Sequence, residues 1–101
     1  MGINIGTVIV VAEQIRATLD TESYGVANEK AFQKIQGLAN GINELAKQNG
    51  YILEKTSSLL EYARDLYSGK QPACGLTDMD QIMMFCRQDV EKIISGIEMY
   101  K

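Results

Sequence analysis

The chain of 101 residues contains no histidine, no tryptophan and a single proline, Pro72. Histidine is the commonest general base and the commonest metal ligand, so its absence argues against most hydrolytic and metal-dependent sites. The sequence also lacks a Cys-x-x-Cys pair and a phosphate-binding glycine loop. We therefore expect no catalytic residue, no metal and no cofactor, and a small enzyme is the least favoured class of function.

Blocks of basic residues and long apolar runs are also missing. The net charge is −3, and the lysines and arginines are scattered along the chain. Proteins that bind nucleic acid or lie on a membrane surface usually carry a basic patch, so we expect neither role. The longest apolar runs, residues 8–12 and 82–86, are too short to span a bilayer, and no basic segment precedes the first of them. We expect no membrane insertion, no Sec signal peptide and a cytoplasmic location.

What the sequence does contain is apolar residues at helical spacing. Between residues 31 and 67, three rows recur every seven residues, as they do in a helix that presents one continuous apolar stripe. The middle row is Ile35, Ile42, Asn49, Thr56 and Ala63; one flanking row is Ala31, Leu38, Leu45, Ile52, Leu59 and Leu66; the other is Phe32, Ala39, Ala46, Leu53, Leu60 and Tyr67.

The pair Asn49-Gly50 leaves two interpretations of this stretch. Asn-Gly is typical of a helix end and a turn, which would divide the stretch into two helices and give a four-helix bundle. The seven-residue rows stay in register across the pair, whereas a turn usually resets the phase, so the pattern favours one unbroken or kinked helix. Asn49 and Thr56 would then lie in the helix seam and set its register.

Two further helices flank this stretch. Residues 5–19 carry an apolar row that Asn4 or Thr7 can cap, and Thr77 with Asp80 resembles a capping box at the start of a last helix. We predict a single all-α domain, in which shorter N- and C-terminal helices pack antiparallel along a long central helix. A rod of this kind is only two helices thick and would leave its apolar stripes exposed to solvent. A partner is therefore expected, either a larger helical protein or a second copy. The stripe predicted to face it comprises Leu45, Ile52, Leu59, Leu66, Met79 and Met83.

Several chemically active residues have a simpler structural interpretation. Cys86 lies on the apolar row of the last helix and is expected in the core, although a disulfide with Cys74 is an alternative. Glu54, Glu61 and Asp65 share one helix face, which we interpret as a solvated face rather than a metal site. Residues 79–85 contain three methionines and Phe85, for which core packing and an adaptable binding surface are both open.

Phe85 and Asp89 are four residues apart and so lie on one face of the last helix, at the edge of its apolar row. They match a Phe-x-x-x-Asp motif late in a small helical chain without a Sec signal. In this the chain resembles the WXG100-related proteins of type VII secretion, in particular the small partner proteins of LXG toxins, although it has no Trp-x-Gly. The resemblance implies that Phe85 and Asp89 form part of an export signal and that the chain leaves the cell by a Sec-independent route.

The predicted function is therefore that of a non-enzymatic helical adaptor. It would bind a larger helical protein through its apolar stripe and target that protein for type VII secretion, with Phe85 and Asp89 presented outwards. The alternative is a homodimeric helical bundle that regulates or inhibits another macromolecule.

Overall fold

The structure, a computed structural model, describes residues 4–70 and 78–99, and these residues form four helices. Helix α1 spans Ile5–Thr21, α2 spans Glu29–Leu45, α3 spans Gly50–Leu66 and α4 spans Met79–Glu98. No strand occurs within the described residues. The prediction of an all-α fold is confirmed.

Each helix begins at a side-chain cap. Asn4, Asn28 and Asn49 accept a hydrogen bond from the backbone N–H three residues on, and Asp78 accepts one from the N–H of Asp80. These caps satisfy backbone donors that have no partner inside the helix. Asn4 and not Thr7 therefore caps α1, and Asp78 takes the role predicted for Thr77, which lies outside the described residues.

The prediction of one continuous central helix is wrong. The chain turns between Leu45 and Gly50, and the α2–α3 turn (residues 46–49) contains two residues with a left-handed backbone, Lys47 with φ 56° and Gln48 with φ 58°. The four residues of this connection are about as many as one turn of a helix contains. The seven-residue rows therefore continue in phase in α3. Unbroken register therefore did not indicate an unbroken helix here.

The four helices form a ring in which each one packs against the helices before and after it. Within the described residues, α1 adjoins α2 and α4, and α3 adjoins α2 and α4, whereas the diagonal pairs are not in contact. Neighbouring helices run antiparallel: residues 58 and 62 of α3 contact residues 89 and 85 of α4, and residues 16 and 20 of α1 contact residues 91 and 87 of α4. The bundle is elongated, with extents of 43 × 22 × 17 Å.

In this ring the apolar stripes of the four helices pack against one another. The prediction of a rod only two helices thick, with exposed stripes, is therefore wrong. Of the stripe expected to face a partner, Ile52, Leu59 and Leu66 are fully buried and Met83 is 5% exposed. Leu45 and Met79 are partly buried and pack against the same core. The stripe is therefore covered by the chain's own helices, and its burial gives no reason to expect a partner there.

Candidate partner-binding surface on helices α3 and α4

Helices α3 and α4 meet along a seam with two rows of matched side chains. On α3 the row consists of residues 51, 55, 58 and 62, and on α4 of residues 85, 89, 92 and 96. Both rows alternate steps of four and three residues, which keeps their members on one side of a helix. Because the helices are antiparallel, the first residue of one row meets the last residue of the other. We call this pair of rows the α3–α4 seam.

The centre of the seam is a buried carboxylate. Asp89 is 5% exposed, and the hydroxyl of Ser58 donates a hydrogen bond of 2.7 Å to its Oδ2. Burial raises the pKa of Asp89, while the Ser58 hydrogen bond and the positive charges of Lys92 and Lys55 act in the opposite direction. The Ser58–Asp89 contact ties the two helices together at mid-length.

One turn further along the seam, two aromatic rings stack. The rings of Tyr62 and Phe85 have their centroids 5.3 Å apart, with an angle of 24° between their planes. Both side chains are only partly buried. A stacked pair of this kind is held more firmly than a single surface ring, because each ring limits the rotation of the other.

At the other end of the seam, Tyr51 lies over Gly96. A Cβ atom added at Gly96 would lie 2.6 Å from Cε1 of Tyr51, so only glycine allows the ring to lie this close. The ammonium group of Lys55 is 5.3 Å from the centre of the same ring, at cation–π distance. Tyr51 itself is 46% exposed.

Exposed methionines extend the apolar surface of α4. Met84 is 46% exposed and Met99 is 85% exposed. With Tyr51, Tyr62 and Phe85, they are three aromatic and two methionine side chains of α3, α4 and the α4 C-cap in contact with solvent, although Met84 lies outside the two rows of the seam. Aromatic residues and methionine are enriched in protein interfaces, and methionine adapts its shape to a partner.

The two residues of the predicted export motif have different environments. Phe85 is partly exposed, as expected for a residue at the edge of the apolar row. Asp89 is not presented outwards, because the seam buries its carboxylate against Ser58. Tyr51, Ser58 and Tyr62 were not predicted as site residues, although their four-and-three spacing with Lys55 is present in the sequence.

Among the other candidate residues, some predictions of burial or exposure are confirmed and others are wrong. Cys86 is buried in the core as expected, whereas its proposed partner Cys74 lies outside the described residues. Glu54 and Glu61 are exposed, but the prediction of a solvated Asp65 is wrong: it follows Tyr62 on the side of α3 turned towards α4 and is 6% exposed. Within the methionine cluster, Met83 is core and Met84 is surface.

An open pocket lies at the end of the bundle where the α1–α2 connection packs against α3. Its volume is about 290 Å³, and it is lined by residues 27–29, Phe32, Arg64, Tyr67 and Ser68. The guanidinium of Arg64 lies 6.0 Å from the ring centre of Phe32. Asn28 is already used as the cap of α2, and its backbone N–H donates to the carbonyl of Tyr67. The lining offers the Arg64 cation, the aromatic side chains of Phe32 and Tyr67, and the carboxylate of Glu29.

Comparison with known proteins adds no relative: no family model, no curated protein and no solved structure matches the chain. Across residues 4–70 and 78–99, no three acidic or cysteine side chains converge in an arrangement that suits a metal ion. None of the four described helices combines the length and the apolar character needed to cross a membrane.

Proposed function

We propose that this protein is a non-enzymatic helical adaptor that binds an amphipathic helix of a larger protein along the α3–α4 seam. The observation that carries the proposal is the stacked Tyr62–Phe85 pair, which is partly exposed at the surface of the most extensive helix contact in the bundle. Aromatic side chains that stay solvent-accessible on a rigid surface are the usual anchors of protein interfaces.

The seam is suited to binding because it is already ordered. The Ser58–Asp89 hydrogen bond and the Tyr51–Gly96 contact hold α3 and α4 together on either side of Lys92. A partner therefore does not have to immobilise the aromatic rings, and this lowers the entropic cost of association.

The charges beside the seam indicate what the partner helix carries. Lys92 is exposed and forms no ion pair within the described residues. Lys92 and Lys55 both act to lower the pKa of Asp89, and Lys55 also pairs with Glu54 at 3.7 Å. Tyr51 and Tyr62 are about 16 Å apart along α3, a distance that three turns of a bound helix would span. We expect a helix with apolar anchors three turns apart and an acidic residue between them.

The proposal is tested by co-expressing the chain with the helical product of a neighbouring gene and measuring the affinity of the purified pair. Replacing Phe85 or Tyr62 with alanine is expected to weaken binding about 30-fold or more, as the loss of an interface anchor does. Lys92→Glu is expected to weaken binding in a salt-dependent way, since it places like charges opposite each other.

Val10→Ala is the matched control. Val10 is 56% exposed on α1, away from the seam, so its truncation removes apolar surface without touching the proposed site. Equal losses from Val10→Ala and Phe85→Ala would contradict the seam as the binding surface. Circular dichroism of each variant establishes that the four helices are retained.

The finer function that we propose is targeting of the bound partner for type VII secretion. It rests on the resemblance carried by Phe85 and Asp89, and the partial exposure of Phe85 supports it. The partner's level in the culture medium is expected to fall with Phe85→Ala and to stay normal with the control Val10→Ala on α1. Since Asp89 is buried, its role would be to position Phe85, so Asp89→Asn, which still accepts from Ser58, should allow normal export.

A further inference from the structure

The α2–α3 turn closes with a Schellman motif built from residues that carry side chains. The N–H of Gln48 donates to the carbonyl of Asn43 at 2.9 Å, and the N–H of Lys47 donates to the carbonyl of Glu44 at 3.1 Å. The left-handed position of this motif usually holds glycine. Here it holds Lys47, and Gln48 is left-handed as well. Both residues are in a backbone conformation that a Cβ atom disfavours.

The residues on either side of this strained turn are compatible with a single helix. Ile35, Ile42, Thr56 and Ala63 belong to one seven-residue row and are all fully buried, and Asn49 of the same row falls at the turn. A helix continued through the turn would therefore keep one buried face along its whole length. Ala46, Lys47 and Gln48 are also among the better helix formers.

We infer that the α2–α3 turn is a hinge that opens into a continuous helix over residues 29–66, and that two copies of the chain then exchange their α1–α2 halves. The occupant of each vacated place is thus a second copy of this chain. Short hinges under strain are the usual sites of such exchange. This inference does not rest on the adaptor function proposed above.

The exchange re-forms the contacts between the two halves one for one. The pairs Arg16–Glu91 and Asp20–Arg87 join α1 to α4, and the hydroxyl of Thr56 donates to Asn43 Oδ1 at 3.0 Å between α2 and α3. In the exchanged dimer the same pairs join residues of different copies. Only the turn differs, and there two left-handed residues become helical.

The continuous helix also has costs. Gly50 would lie inside a helix, the cap that Asn49 provides for α3 would be lost, and two chains would lose independent motion. The balance therefore depends on protein concentration. Exchange is also expected to be slow, because the contacts between the halves must break before they re-form.

The first experiment is light scattering over a concentration series for two double variants of the hinge. Lys47→Gly combined with Gln48→Gly removes the left-handed strain and disfavours the helix, so dimerisation should weaken at least about a hundredfold. Lys47→Ala combined with Gln48→Ala is the matched control, since it keeps the strain and favours the helix. The affinity between its two copies should equal or exceed that of the original chain. Equal behaviour of the two double variants, or monomers throughout for the original and alanine chains, would overturn the inference.

The second experiment distinguishes exchange from simple face-to-face pairing. The substitutions Arg16→Cys and Glu91→Cys are made in a chain with Cys74→Ala, and Cys86 is left in the core. A short bismaleimide then links the two new thiols. In the exchanged dimer the two sites belong to different copies, so the isolated dimer fraction should yield covalent dimers under denaturing conditions. A dimer fraction in which only links within one chain form would overturn the inference. Both measurements use the chain alone, so their outcome is independent of partner binding.

Discussion

Two glycine-to-alanine substitutions should have opposite effects on stability, because one glycine is exposed and the other is covered by an aromatic ring. Gly37 lies on the exposed side of α2, and nothing would lie within 4 Å of a Cβ atom there. Gly37→Ala should therefore raise the free energy of unfolding by about 0.5–1 kcal/mol, the helix-propensity difference. In a domain of this size, that is an increase in Tm of about 2–8 °C.

Gly96→Ala has the same propensity gain but must displace Tyr51. The added Cβ would lie 2.6 Å from Cε1 and 2.9 Å from Cδ1 of that ring, so the ring must retreat by about 1 Å to reach ordinary contact. Overpacking of this kind costs about 1–3 kcal/mol, so the net effect should be a loss of about 1 kcal/mol.

The Tyr51→Ala background isolates the cause. Without the ring, the nearest remaining atom is Cδ1 of Ile52 at 3.5 Å, an ordinary contact, and Gly96→Ala should then stabilise the chain as Gly37→Ala does. The assay is urea unfolding, monitored by circular dichroism, of the three single variants and of the double variant that combines Gly96→Ala with Tyr51→Ala. If Gly96→Ala stabilises the original chain as much as Gly37→Ala does, the ring does not lie over Gly96 as described.

Three further predictions concern buried polar groups and a cap. The hydroxyl of Tyr67 is buried without a hydrogen-bond partner in the described part of the chain, so Tyr67→Phe should raise stability by about 1 kcal/mol, whereas a fall in Tm would reveal a hidden partner. Because the pKa of Asp89 is raised in the folded state, its ionisation disfavours folding: Asp89→Asn should stabilise the chain most at neutral pH, and this advantage should shrink as the pH falls towards the ordinary value of 3.8. An advantage independent of pH in urea titrations would contradict this assignment. Asn28→Ala should lower stability by about 1–2 kcal/mol, since Asn28 caps α2 and its amide also reaches Ser23; thermal unfolding without a loss would argue against this cap.

The fold class was predictable from the sequence because the apolar spacing is regular in every helix. The break in the central stretch was not, and the reason is specific to the turn. Lys47 and Gln48 have left-handed backbone conformations that the sequence does not indicate, since neither residue is glycine or asparagine. The signals that were present, Asn49 and Gly50, mark the start of α3 instead.

The candidate surface was only partly predictable. The spacing of Phe85 and Asp89 placed them on one face of α4, but a single helix does not reveal what lies opposite. Ser58 and Tyr62 became relevant only when α3 was found to return antiparallel to α4. The same packing buried Asp89 and the supposed partner-facing stripe, which shows that an apolar row predicts burial without saying which surface covers it.

The two proposals are compatible because they depend on different contacts. The α3–α4 seam lies within one half of the chain, so opening the hinge at Lys47 and Gln48 would leave Phe85 stacked on Tyr62 in every copy. An exchanged dimer would present two seams on one particle, and a bivalent partner would bind it more tightly through avidity alone. Hinge variants should therefore change the stoichiometry of a complex and leave the affinity of each seam unaltered, whereas Phe85→Ala should weaken each seam in monomer and dimer alike.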